Sequence, residues 1–100
     1  MSEGLGLAGA KSSLNIGSAT VIDDTTVSSY TSRRVSRVHV LVAGTTQGSV
    51  NDCLTIAAVA PANQVFAIPN AAGAYLIDFP MLSGIVVSPG AGQVVAVSYD

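Results

Sequence analysis

The chain contains no tryptophan, and its aromatic residues are only Tyr30, Phe66, Tyr75, Phe79 and Tyr99. So few rings argue against a stacking platform for sugars or unpaired bases. A single cysteine, Cys53, excludes an intrachain disulfide. Charge is scarce as well: Asp, Glu, Lys and Arg make up 10 % of the residues, against about 25 % in an average soluble domain. From Val38 to Asp100 there is no Lys or Arg at all. No apolar run approaches the length of a membrane span. There is no N-x-S/T acceptor, and Glu3 stands where a signal peptide would carry its basic region, so no signal peptide is expected. No window of ten residues carries an i, i+3, i+4, i+7 stripe free of Gly, Pro or β-branching, which leaves little room for helix.

What remains is apolar and neutral. Hydrophobic residues are 49 % of the chain, enough for one modest core in a domain of this length. The polar residues are mostly Ser, Thr, Asn and Gln. Such a surface is poorly defended against self-association, and free strand edges are normally guarded by charge. The edges of this chain are therefore expected to be paired or covered, as they would be inside an assembly.

Residues 1–18 are rich in Gly, Ala and Ser with no periodic stripe. They read as an extended N-terminal arm, with Leu5, Leu7, Leu14 and Ile16 as its docking side chains. Short β-prone pieces follow at 20–22 and 26–31, with Asp23-Asp24 as the turn between them. Residues 34–43, RVSRVHVLVA, alternate clearly: Val38, Val40 and Val42 on one face, Arg37, His39 and Leu41 on the other. GTTQG then turns the chain, and residues 49–57 are expected to return antiparallel. Pro61, Pro69, Pro80 and Pro89 recur at intervals of 8, 11 and 9 residues. Between them lie QVFAI, AYLIDF, GIVV and finally QVVAVSY, a spacing that fits a sandwich or barrel. AAVAPA, 57–62, is long enough for one helical turn. The pair GIVVS and QVVAVSY around PGAG reads as a terminal hairpin. VVAV is apolar on both faces, so burial is expected on both sides. Val95, Val97 and Tyr99 are assigned to the core, and Val94, Ala96 and Ser98 to an arm or a neighbour. The domain is thus an all-β, small antiparallel β-sandwich spanning 19–100, jelly-roll-like, behind an arm at 1–18.

Chemistry-bearing motifs are weak. G-L-G-L-A-G, residues 4–9, spells GxGxxG but lacks the preceding strand that a dinucleotide site needs. His39 and Cys53 could meet across a 36–43/49–56 hairpin, with Asp52 or Asp78 as a third group for zinc or a nucleophile pair. No motif surrounds either residue, so a strand histidine and a buried thiol are the plainer reading. Asp23-Asp24 has no loop of spaced acids for calcium and reads as a turn. Arg33, Arg34 and Arg37 lack aromatic interleaving, which makes nucleic acid a poor partner; an ion-paired interface and a solvated strand end both fit. No catalytic, cofactor or metal residue is expected. The candidate interface is Leu5, Leu7, Leu14, Ile16, Arg33, Arg34, Arg37 and Val94.

Residues 36–100 carry a further pattern: RVHVLVAGTT, GSVND, APANQVFAIPN, GAYLIDFP and SGIVVSPGAGQVVAVSY in series. This resembles small structural proteins of tailed-bacteriophage virions, some of which are head decoration (cement) proteins. The resemblance is carried by turns and composition over about two thirds of the chain. It implies a non-enzymatic protein, made in the bacterial cytoplasm and bound to the capsid exterior. Its partners would be the major capsid protein and its own copies, with no direct contact to nucleic acid or membrane. The alternative is a fibre or tail attachment module that binds a receptor.

Overall fold

The computed structural model describes residues 11–23 and 33–99. Eight strands lie in this part of the chain: β1 (Lys11–Ile16), β2 (Thr20–Asp23), β3 (Arg33–Val42), β4 (Gly48–Asn51), β5 (Gln64–Ile68), β6 (Gly73–Met81), β7 (Ile85–Ser88) and β8 (Val94–Tyr99). Two 3-10 turns, Ile56–Ala58 and Pro61–Asn63, provide the helical content between β4 and β5. The described chain is therefore all-β.

The strands form two antiparallel sheets of four. Sheet I runs β1-β8-β3-β6 and sheet II runs β2-β7-β4-β5. The pairing has one rule: first with last, second with seventh, third with sixth, fourth with fifth. Contacts β3–β8 and β4–β7 complete the sheets. The sheets pack face to face over a single cluster. Ile16, Val35, Val38, Val40, Val95 and Val97 come from sheet I, and Val50, Ile68, Ile85 and Val87 from sheet II. β-branched side chains suit this position because they are stiff at χ1 and fill a pleated surface well.

Strand positions in the second half agree with the Pro-punctuated reading, but two pairings differ. Residues 48–51 do not return along β3; they cross into sheet II and pair with β5 and β7. Likewise β7 and β8 are not a hairpin, because the 89–93 turn carries the chain from sheet II to sheet I. Residues 11–16, read above as part of the arm, are a strand of sheet I, at its edge among the described residues, and Ile16 is a core residue at 3 % exposure opposite Val95. The sandwich therefore takes in residues ahead of 19, and Ile16 is removed from the interface set. Leu5, Leu7 and the piece at 26–31 lie outside the described residues.

Bulges decide which residues face outward. β3 gains one residue against β8 at Ser36 and another at Leu41. Each extra residue resets the two-residue alternation. Val35 and Val38 can then both point inward with Arg37 outward. Beyond the second bulge Val42 turns outward too, at 51 % exposure, next to Leu41 at 56 %. Val42 accordingly leaves the face of Val38 and Val40. On β1, Leu14 and Asn15 together oppose Ala96, with Asn15 at φ 56. Asparagine is among the few residues that reach this left-handed conformation readily.

Candidate functional site

Sheet I has a second face, away from the core, and its registers define three rows across the strands. Ser12, Ser98, Arg37 and Leu76 make the first. Leu14, Ala96, His39 and Ala74 make the second, and Val94 with Leu41 and Val42 the third. Leu14 is 70 % exposed and Leu76 69 %. Together with Leu41 and Val42 these are half of the large hydrophobic side chains that the described residues expose. A shallow groove of about 410 Å³ runs between Leu14, His39, Leu41, Ala96 and Ser98. Contiguous apolar surface of this kind marks contact sites in soluble proteins. The face is graded, with a cation at the Arg37 row and leucine and valine two rows away.

The terminal strand explains its own composition. Val95 is 0 % exposed and Val97 1 %, with Tyr99 packed against the core. Val94 is half-buried and Ser98 likewise, both on the outer face. Ala96 is 8 % exposed although it points outward, because taller neighbours on β1 and β3 stand on either side of it.

The candidate interface residues are thus only partly brought together. Leu14, Arg37 and Val94 share the outer face of sheet I. Arg33 lies opposite Met81 at the start of β3. Arg34 is committed elsewhere: its Nη1 donates to Asp78 Oδ1 and to the Asp78 carbonyl, both at 3.3 Å. Both side chains of that pair are substantially exposed, so the contact is worth little to stability.

The His39–Cys53 pairing does not form. His39 is exposed on sheet I between Ala96 and Ala74, whereas Cys53 is buried in the segment that follows β4 of sheet II. Cys53 Sγ donates to the Thr55 carbonyl at 3.4 Å. Burial pushes the thiol up, the Thr55 bond opposes this, and the nearby Asp52 charge adds to the rise. A protonated, buried thiol is a poor nucleophile. Asp52 faces a different task. Its carboxylate accepts from the backbone N–H groups of Leu82 (3.0 Å), Ser83 (2.7 Å) and Gly84 (3.3 Å), which fixes the β6–β7 connection. Among the described residues no three of His, Cys, Asp and Glu come together to hold a metal ion. Beside Asp52 lies a second, open cavity of about 510 Å³ lined by Asn63, Gln64, Val65, Phe79, Pro80 and Leu82.

Two buried amides escaped the sequence reading. Gln93, 0 % exposed, accepts from Gly90 N–H at 3.0 Å and donates through Nε2 to the Pro69 carbonyl at 2.9 Å. It ties the β7–β8 turn to the end of β5. The same end is stitched by Thr45 N–H to the Ala91 carbonyl and by Ala91 N–H to Thr46 Oγ1, each at 2.8 Å. Asn51 donates to Ser49 Oγ at 3.0 Å and to the Val86 carbonyl at 3.2 Å, and its buried Oδ1 has no partner among the described residues. Both amides sit in or beside strand-forming runs, where nothing in the pattern separates a buried amide from a solvated one. No protein-family model, no curated protein and no solved structure matches the chain.

Proposed function

We propose that the protein is a structural component of a tailed-bacteriophage virion, a capsid decoration protein that binds the major capsid protein lattice and its own copies. The observation that carries this reading is the outer face of sheet I, where four large apolar side chains stand exposed with Arg37 as the cation at one end. A face of that kind gains by being covered. The turn-and-strand pattern of residues 36–100 supplies the virion context. Pairing first strand with last, second with seventh and so on is what a rolled-up antiparallel ribbon produces, and it supports reading the sandwich as a jelly roll. In this reading the protein catalyses nothing, takes no cofactor, is made in the bacterial cytoplasm and ends on the capsid exterior.

The test is co-sedimentation with shells of the phage's major capsid protein. Leu14→Glu and Leu41→Glu alter exposed side chains, so both variants should keep the β-rich circular dichroism of the parent. Both should sediment with shells far less than the parent does. Undiminished shell binding by the two variants would remove this face from the capsid contact. The fibre-attachment alternative draws on the cavity beside Phe79 and Leu82. It is favoured instead if the parent ignores shells and binds fibre or tail proteins, with Leu82→Glu reducing that binding.

A further inference from the structure

We propose that the groove on sheet I is occupied by residues 3–7 of a second copy, so that copies are joined by exchanged arms. This rests on the reading of that face as an assembly surface, and it adds the occupant. The outward residues of β3 along the groove are Arg37, His39 and Leu41, two residues apart, or roughly 6–7 Å per step. Residues 3–7 read Glu-Gly-Leu-Gly-Leu. In an extended chain Glu3, Leu5 and Leu7 fall on one side at the same step. Laid parallel to β3, they put a carboxylate over the Arg37 row, one leucine over Ala96 and His39, and the other over Leu41 and Val42. Gly4 and Gly6 carry no side chain on the opposite side, so nothing on them obstructs a second layer of the assembly.

Reach decides between a chain's own arm and a neighbour's. Lys11 stands opposite Tyr99, which is also the partner of Val35. From that end of sheet I to Leu41 is six residues of strand, roughly 20 Å. Leu7 is only four residue steps from Lys11, a span of at most about 14 Å fully extended. A chain therefore cannot lay its own Leu7 on its own Leu41 in the parallel sense. Its own arm could enter only in reverse, with Glu3 against the leucines and a leucine against Arg37. The orientation that matches charge to charge and apolar to apolar belongs to a second copy. A two-leucine contact with one exposed ion pair is weak, so it gains most where many copies are held side by side.

The test uses full-length chains in free solution, without capsids, so its outcome is separable from that of shell binding. Sedimentation velocity over rising concentration should show self-association of the parent. The arm variant Leu5→Glu/Leu7→Glu and the groove variant Leu41→Glu should each weaken it by about tenfold or more. Leu14→Glu serves as a second groove variant, and circular dichroism checks that each remains folded. Glu3→Arg and Arg37→Glu should each weaken association, and the two combined should restore it. Mixing the arm variant with the groove variant should yield a heterodimer, since one intact arm then meets one intact groove. A parent that stays monomeric to millimolar concentration, an arm variant that associates like the parent, or an associating parent whose two variants fail to complement would each overturn the proposal.

Discussion

Gln93 offers the sharpest test of how the sandwich is held at the end where sheet II hands over to sheet I. Gln93→Ala removes the acceptor of the Gly90 N–H and the donor to the Pro69 carbonyl. Gly90 is buried, so its N–H loses its partner with little access to water; Pro69 is half-buried and can recover part of the loss from solvent. An unsatisfied buried group costs about 1–3 kcal/mol. Placing Gly90 in the upper half of that range and Pro69 at its foot gives a total of about 3–4 kcal/mol. In a domain of this size that corresponds to a fall in Tm of roughly 12 °C or more. Gln93→Glu is the informative companion. It keeps an acceptor for Gly90 but sets a carboxylate oxygen against the Pro69 carbonyl, two acceptors with no proton between them. Burial and that carbonyl both raise the folded pKa of the new carboxyl above its unfolded value, about 4.3. Its stability contribution is therefore present below that value and lost as pH rises through the folded pKa. Gln93→Glu should be near parental stability at pH 4, where the acid can donate to Pro69, and less stable than Gln93→Ala at pH 7. Thermal melts of both variants at the two pH values measure this. A loss under 1 kcal/mol for the alanine, or no pH dependence for the glutamate, would refute the clamp.

Val97→Asp should unfold the domain, because an unpaired carboxylate in the core costs several kcal/mol against a total stability of roughly 5–15; Val94→Asp should stay folded and associate poorly, and melts with co-sedimentation separate the two. Gly48→Ala should lower Tm, since its Cβ would stand 2.6 Å from Gln93 Oε1 and 2.8 Å from the Ser88 carbonyl, and neither atom can retreat without releasing a bond or a strand. Cys53 should be alkylated by iodoacetamide far more slowly in the native protein than in urea. Because its folded pKa lies above the ordinary 9.0, its contribution to stability holds below pH 9.0 and is lost at higher pH, a slope that Cys53→Ala should flatten. Replacing Cys53 with Ser should leave shell binding largely intact, since Cys53 is buried away from the outer face of sheet I, and stoichiometric zinc in the purified protein would contradict the reading that Cys53 serves no metal site.

The positions of β3 and of β5 to β8 could be read from two-residue alternation and from the proline spacing, because both are local properties. Pairing could not. A short strand of three apolar residues and a serine such as Ile85–Ser88 satisfies either sheet, and a short polar turn such as 43–47 can bend back along its own sheet or cross to the other. The apolar doubling of VVAV did carry information: Val95 and Val97 are buried inward and Val94 and Ala96 look out, as the two-sided composition required. Val42 was misassigned because a bulge adds a residue without leaving any mark in composition. Ile16 looked like part of an arm because its neighbours are Asn15 and Gly17, yet the asparagine supplies the turn of backbone that swings Ile16 into the core. Gln93 and Asn51 gave no warning, since an amide next to a valine run looks the same whether it faces water or a carbonyl.

The order of strands also sets a timetable. β8 lies between β1 and β3, and β7 between β2 and β4, so one of the two central strands of each sheet is synthesised after the other three strands of that sheet. Until β8 and β7 arrive, β1 has no neighbour in sheet I and β2 none in sheet II among the described strands. The growing chain therefore holds β1 and β2 without these partners until β7 and β8 have been made, then closes contacts between distant parts of the sequence. Chains with such contacts fold in milliseconds to seconds rather than microseconds. During that interval the exposed strands can join a neighbouring chain as readily as their own. A protein made in many copies at once would then have its yield set by how fast β7 and β8 insert.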